Sequence, residues 1–97
     1  MAASLSTHVL DTGAGTPARG VRVELYREAE LLAEGSTDDD GRIAEFAESL
    51  EPGAYRIVFH PPSPYFTRVE LEVELGDGHH HVPLLVSPYA CASYRGN

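Results

Sequence analysis

The sequence predicts an all-β fold, a sandwich of short antiparallel strands. Segment 69–75 strictly alternates aliphatic residues with glutamates, and segment 21–27 alternates apolar and polar residues in the same way. A period of two residues is that of a strand with one buried face. Clusters of Gly, Pro, Asp and His separate these segments, at about the 8–12-residue spacing that is typical of small β-sandwiches.

In chain order, the predicted elements are strands with turns between them. Segments 55–59 and 82–86 are short apolar runs suited to core strands, in addition to 21–27 and 69–75. The turn signals lie at 13–17, 37–41, 51–53, 60–64 and 76–78. The only helix candidate is Ala44–Leu50, which could form one or two turns before Pro52 and Gly53 end it.

Length and charge limit the possible functions. The 97 residues predict one domain spanning 1–97, with no repeat or linker. Seven basic and 15 acidic residues give a net charge of −8, which disfavours binding to nucleic acid or to anionic membranes. An anionic ligand would therefore need the few cationic side chains to be gathered in one place.

The remaining composition favours a cytoplasmic location. Cys91 is the only cysteine, so an intrachain disulfide is impossible. Met1–Ser4 lacks the basic and apolar regions of a signal peptide. No apolar run approaches the roughly 20 residues that a membrane span requires.

Two motifs at opposite ends of the chain resemble one known family. Residues 81–97 read HVPLLVSPYACASYRGN, and residues 6–12 (STHVLDT) are followed by GTPA at 15–18. Both stretches resemble the signatures of the transthyretin-like 5-hydroxyisourate hydrolases. The resemblance implies a prealbumin-like sandwich of two antiparallel four-stranded sheets, assembled as a homotetramer (a dimer of dimers). Because His60–Pro64 leads almost directly into Tyr65, we expect the family's one short helix to be trimmed.

The resemblance also implies an activity. It predicts hydrolytic ring opening of the small molecule 5-hydroxyisourate to 2-oxo-4-hydroxy-4-carboxy-5-ureidoimidazoline, a step of urate breakdown, without a cofactor. One alternative is a non-catalytic, transthyretin-like carrier of small molecules, although transthyretin lacks the histidines, the arginine and the terminal Tyr-Arg-Gly that this chain has. Another alternative is a diverged, inactive scaffold domain.

Three side chains are the expected catalytic residues: His8, Arg42 and His81. A strand histidine is usually a surface residue, and an arginine after three aspartates usually balances their charge, so these assignments rest on the resemblance. An imidazole takes up a proton near neutral pH, and a guanidinium holds a planar anion with a fork of donors. His8 and Arg42 are also expected to bind substrate.

The chain end supplies the other expected substrate contacts, Tyr94 and Asn97. Tyr94 could equally be an aromatic anchor of a strand end. Asn97 stands where the family has a serine to which a role in the site is given, so a hydroxyl function is lost at this position.

Other candidate sites are weaker. Of His79, His80 and His81, only the first and last share a strand face, and two imidazoles are too few for zinc, so we predict no metal site. Ser87, Ser93 and Cys91 are possible nucleophiles, but they lie in no G-x-S-x-G motif. We therefore expect no covalent acyl-enzyme.

Overall fold

The computed structural model describes residues 2–96, and these residues form two stacked β-sheets. The strands are β1 (Ala3–Asp11), β2 (Thr16–Pro17), β3 (Arg22–Arg27), β4 (Glu30–Ser36), β5 (Arg42–Leu50), β6 (Gly53–His60), β7 (Val69–Leu75), β8 (Gly78–Ser87) and β9 (Ala90–Ser93). No helix occurs between residues 2 and 96, and hence none there is long and apolar enough to cross a membrane.

The first sheet contains both ends of the chain. β1 pairs with β8 along one edge, and β8 pairs with β9. The other edge of β1 is shared by β5 and by the two-residue β2. The second sheet has the order β4-β3-β6-β7 and is antiparallel throughout. The expected all-β sandwich is confirmed, and the space after His60 holds a short loop instead of a helix.

Two details differ from the sequence-based expectations. β1 and β8 run parallel, so the first sheet is mixed, and β2 makes it five-stranded. Turn motifs specify the antiparallel direction only for strands that are adjacent in sequence, and β1 and β8 are not. The possible helix at 44–50 was also wrong, because this segment is part of β5 and pairs with β1. Backbone pairing across the sheet outweighs its weak helix propensity.

The alternating pattern sorts side chains onto two faces of each strand. On β1 the inner face carries Leu5, Thr7 and Val9, each fully buried. On β8 the inner face carries His80, Val82, Leu84 and Val86. These residues pack between the sheets against Leu25, Ile57 and Phe59. The opposite faces of β1 and β8 are therefore free to carry polar groups, among them Ser6, His8 and His81.

Thr37 fastens the end of β4 to the loop before β3. It is 5% exposed, and its hydroxyl donates to the Ala18 carbonyl (2.6 Å) and accepts from the Val21 amide (2.9 Å). The turn that follows, residues 38–41, leads directly into β5. Thr37 therefore holds the start of the segment that carries Arg42.

We expect Thr37→Val to lower the free energy of unfolding by about 1–3 kcal/mol, because a buried carbonyl and a buried amide lose their partner. Chemical denaturation measures this difference. The matched control is Thr16→Val, since Thr16 is exposed and no hydrogen bond of its hydroxyl occurs within residues 2–96. Equal stabilities of the two variants would contradict the role of Thr37.

Candidate functional site

Three neighbouring strands place the expected catalytic residues on one outer face. His8 on β1 and Arg42 on β5 are directly paired residues of an antiparallel ladder. His81 on β8 is paired with Ser6, two residues before His8 on β1. The rings of His8 and His81 lie 6.4 Å apart between centroids. Residues far apart in sequence are thus adjacent because β1 lies between the other two strands.

A tight turn sets the position of Arg42. The Asp38 carboxylate accepts hydrogen bonds from the backbone amides of Asp40 and Arg42, both at 2.9 Å. Gly41 has a φ of 74°, and a Cβ there would lie 2.5 Å from the Val9 carbonyl oxygen. Only glycine fits this backbone and this close approach. Asp38 and Gly41 are therefore the residues that the turn before Arg42 requires.

The guanidinium of Arg42 does not neutralise the aspartates of this turn. Among residues 2–96, it makes neither a salt bridge nor a side-chain hydrogen bond, whereas Arg19 pairs with Asp39 at 3.4 Å. The reading of Arg42 as a counter-charge for the acidic turn therefore has no support. A charged group without a protein partner is available to a ligand.

The ring of His8 is fixed by the same turn. Its Nε2 lies 2.9 Å from the carbonyl oxygen of Asp40. A carbonyl only accepts hydrogen bonds, so Nε2 carries the proton and Nδ1 carries the lone pair when the ring is neutral. The turn at residues 38–41 thus orients both His8 and Arg42.

His81 is the histidine best suited to act as a base. Burial lowers its pKa from the usual 6.5, and the nearby positive charges of His8, His79 and Arg42 lower it further. Its Nδ1 is hydrogen-bonded to the Ser6 hydroxyl at 2.8 Å, and no partner of Nε2 lies within residues 2–96. A neutral imidazole with one free nitrogen can accept a proton from water.

The cleft next to these residues has a volume of about 310 Å³. Its walls are formed by Ser6, Thr7, Arg42, Ala44, His79 and His81. None of these residues is acidic, although the chain as a whole carries a charge of −8. His8 is not a wall residue of this cleft, but its ring lies beside that of His81. The cationic and neutral walls therefore suit an anionic or carbonyl-rich ligand.

Tyr94 lies elsewhere. It borders a separate cavity of about 370 Å³ with the inner-face residues Leu71, Val73 and Val82, and it is 55% exposed. The structure does not bring Tyr94 together with His8, Arg42 and His81 in one protomer, so its contact with substrate stays a prediction. Asn97, the other expected contact, lies outside the described residues.

The chain end nevertheless reaches the cleft through Gly96. Its amide donates to the His81 carbonyl at 2.7 Å, in an isolated antiparallel bridge. A Cβ at position 96 would lie 2.7 Å from a ring carbon of His81. Glycine is therefore required for the terminus to lie against this ring.

The other side chains that were possible metal ligands or nucleophiles are held in structural contacts or partly buried. His80 is 7% exposed, and its Nε2 donates to the Gly76 carbonyl across the β7–β8 turn. Ser93 donates to the Pro83 carbonyl, and Ser87 bonds to Thr12. Burial raises the pKa of the Cys91 thiol, which makes thiolate formation harder. Residues 2–96 contain no group of three or more potential metal ligands.

Two residues of the site were missed by the sequence analysis, Ser6 and His79. The sequence indicates Ser6 only as part of a motif and His79 only as a possible metal ligand. The alternation of β1 could have indicated Ser6, because Ser6 and His8 share a strand face. Their pairing with β8 was not visible, since a parallel register between distant segments leaves no local signal.

Comparison with known proteins agrees with this geometry. The HIUase/Transthyretin family model matches residues 5–96. The 5-hydroxyisourate hydrolase of Pseudomonas aeruginosa is 37% identical over 114 residues, covering 96% of this chain and 90% of the relative. That of Deinococcus radiodurans is 39% identical over 113 residues, covering 96% and 95%. Both alignments are longer than this chain, so these relatives carry residues that it lacks.

Solved structures show the same relationship. The structure of the Klebsiella pneumoniae 5-hydroxyisourate hydrolase superposes with a TM-score of 0.90 at 39% identity, covering 98% of this chain and 99% of that one. Sea bream transthyretin in complex with thyroxine has a TM-score of 0.86 at 23% identity, covering 96% and 94%, and therefore shares the fold. The chain belongs to the HIUase/transthyretin family.

Proposed function

We propose that this protein hydrolyses 5-hydroxyisourate and opens its six-membered ring to form 2-oxo-4-hydroxy-4-carboxy-5-ureidoimidazoline. The observation that carries this proposal is that Arg42 and His81 line one cleft without an acidic wall residue, while His8 is paired with Arg42 and its ring lies 6.4 Å from that of His81. The related hydrolases from Pseudomonas and Deinococcus support the same substrate. The direct test is the decay of ultraviolet absorbance of 5-hydroxyisourate freshly generated by urate oxidase.

The proposed mechanism assigns one role to each side chain. His81, neutral because its pKa is lowered, takes a proton from water while the oxygen of that water attacks the ring carbonyl. The fixed positive charge of Arg42 stabilises the oxyanion that forms on the carbonyl oxygen. His8, acting from its protonated form with Nε2–H still bonded to Asp40, then supplies its Nδ1 proton to the departing ring nitrogen as the C–N bond breaks.

A carrier and an inactive scaffold are the alternatives. Neither needs an imidazole of lowered pKa beside an arginine that lacks an acidic partner within residues 2–96. Binding of substrate without faster ring opening would support the carrier. Absence of both binding and ring opening would support the scaffold.

We also propose that the protein is a homotetramer that is active only when assembled. Leu84 and Val86 of β8 are buried in the core of the protomer, where they are 0% and 1% exposed. They are therefore not available for contacts between subunits. Leu85 and Leu10, a paired set on the outer face, are only partly buried, and Tyr89 is 74% exposed. A small domain gains stability by burying such groups against other subunits.

We also propose that the protein is located in the cytoplasm.

We predict that Arg42→Glu lowers kcat/KM at least 100-fold without changing the fold, because a negative charge replaces the group facing the oxyanion. The absorbance assay measures the rate, and circular dichroism checks the fold. Arg19→Glu is the matched control, since Arg19 is exposed and pairs with Asp39 on the surface. A variant at position 42 with a near-normal rate would remove the proposed role of Arg42.

The rate should fall on acidification. The pKa of His81 is lowered from 6.5, so its imidazole is neutral at pH 7. The imidazole becomes protonated, and stops acting as a base, only when the pH falls below 6.5. We therefore predict a constant kcat/KM near neutrality and an acid limb with its midpoint below 6.5. A profile that stays flat down to about pH 5 would contradict an imidazole base.

Light scattering should give a mass near four times the 10.5 kDa of one chain. We expect Leu85→Glu to dissociate the assembly and reduce the rate, because it places a charge on the proposed contact face. Leu32→Glu on the second sheet, where Leu32 is 39% exposed, is the control and should leave the mass unchanged. A stable, fully active monomer would contradict this proposal.

A further inference from the structure

A continuous row of hydrogen bonds leads away from His81 along the outer face of β1 and β8. Nδ1 of His81 is bonded to the Ser6 hydroxyl at 2.8 Å, and the same hydroxyl is bonded to Nε2 of His79 at 2.8 Å. Nδ1 of His79 is bonded to the Ser4 hydroxyl at 2.7 Å. Four side chains are thus joined without a gap by three short hydrogen bonds.

The parallel register of β1 and β8 produces this row. Ser4 is paired with His79, and Ser6 with His81. Both strands run in the same direction, so alternate residues of each lie side by side in the same order on one face. Ser6 is 7% exposed, so its hydroxyl is largely shielded from competing water. Its position between two imidazoles therefore follows from the fold.

Every group in this row can both give and take a proton. In one arrangement Nδ1–H of His81 donates to Ser6, Ser6 donates to Nε2 of His79, and Nδ1–H of His79 donates to Ser4. In the other arrangement all three hydrogen bonds point the opposite way, and His81 carries its proton on Nε2. Passage of one proton along the row converts the first arrangement into the second.

The far end of the row opens into a second cleft. This cleft has a volume of about 210 Å³, and Ser4, Glu45, Glu48 and His79 line it. His79 also lines the first cleft, so it forms part of the wall between the two. Within residues 2–96, the charged and titratable groups that line the two clefts or lie beside the row are His8 and Arg42 on the His81 side, and Glu45 and Glu48 on the His79 side. This asymmetry favours movement of a proton away from His81.

Ring opening by hydrolysis creates a need for such movement. When an amide opens to a carboxylate and a non-basic ureido nitrogen, one proton is left over in each turnover. If His81 takes a proton from water and His8 protonates the leaving nitrogen, both histidines must be restored. His8 can regain its proton from the carboxylic acid that first forms, whereas the proton on His81 is the one left over and must leave the site. The positive charge of Arg42 lies in the first cleft, so direct release of a proton from His81 into this cleft is unfavourable.

We propose that Ser6, His79 and Ser4 are a proton relay that returns His81 to its neutral state, an inference that rests on the proposed hydrolase activity. A proton from water binds Nε2 of His81 while hydroxide oxygen forms its bond to the carbonyl carbon. The Nδ1 proton of His81 passes to Ser6, the Ser6 proton passes to Nε2 of His79, and the Nδ1 proton of His79 leaves through Ser4 to solvent beside Glu45 and Glu48. His81 is then neutral with its proton on Nε2, and between turnovers the row regains its first arrangement by exchange of ring and hydroxyl protons with solvent. Ser6 and His79 are thus positioning residues that act through His81.

The first test breaks the row at its centre. We expect Ser6→Ala to lower kcat about 10-fold with KM within twofold of the wild-type value, and Ser6→Thr, which keeps the hydroxyl, to restore most of kcat. A kcat of Ser6→Ala equal to that of the wild type would overturn the relay. Loss of rate in both variants with a raised KM would also overturn it, since the site would then be distorted.

The second test asks whether His79 carries protons or only packs. His79→Ala should lower kcat about 10-fold in dilute, non-imidazole buffer, and added imidazole should restore the rate in a concentration-dependent manner. The matched control is His60→Gln on the second sheet, where His60 bonds to Glu24; its rate should stay normal and not respond to imidazole.

A His79→Ala variant whose low rate ignores imidazole and buffer concentration would overturn the relay and indicate a purely structural histidine. The rates of these variants can be interpreted only if the wild-type protein accelerates ring opening. A wild-type protein that does not accelerate ring opening would instead overturn the proposed function, so the two failures are distinct.

Discussion

The parallel pairing of β1 with β8 is the interaction on which the rest of the structure depends. It extends without a break from Ala3–Gly78 to Asp11–Val86 and joins the beginning of the chain to its end. The inner residues of both strands form much of the core, while the outer residues Ser6, His79 and His81 contribute to the cleft. A shift of one residue in this register would exchange the two faces. Core stability and the position of His81 are therefore set by the same pairing.

The outer faces of the two sheets carry different kinds of charged group. The outer face of the second sheet carries an ionic network in which Arg22 bonds to Glu34 at 2.8 Å and His60 bonds to Glu24 at 2.8 Å. The hydrogen bond from His60 is the main reason that the pKa of Glu24 is lowered. The cleft on the first sheet has cationic and neutral walls instead. The protein thus keeps an acidic surface while the cleft stays suited to an anionic or carbonyl-rich ligand.

The fold could be predicted from the sequence wherever the signal was local. The alternation at 69–75 matches β7 residue for residue, and the turn signals mark most of the strand boundaries. The direction of β8 relative to β1 could not be predicted, because no turn connects them. The helical reading of 44–50 failed because β5 is held by its pairing with β1, which contains two register shifts and so obscures a simple alternation.

The candidate site shows the same division between local and long-range information. His8, Arg42 and His81 were identified through the family motifs, and the structure brings them together. The tautomer of His8 depends on the Asp40 carbonyl, and the row from His81 to Ser4 depends on the β1–β8 register. Neither feature is encoded in a short segment. Sequence reasoning therefore found the chemical groups, while the hydrogen bonds that set their protonation required the three-dimensional structure.

His81 is held between the two ends of the chain, and this explains its suitability as a base. Ser6 from β1 bonds to its Nδ1, and Gly96 from the terminal segment bonds to its carbonyl and lies against its ring. These contacts bury the ring, which lowers its pKa, and they leave Nε2 as the nitrogen able to accept a proton. Any change that loosens either chain end would expose the ring and bring its pKa back toward 6.5. The packing of β1 and of the segment ending at Gly96 around His81 and the lowered pKa of this ring are thus linked in this fold.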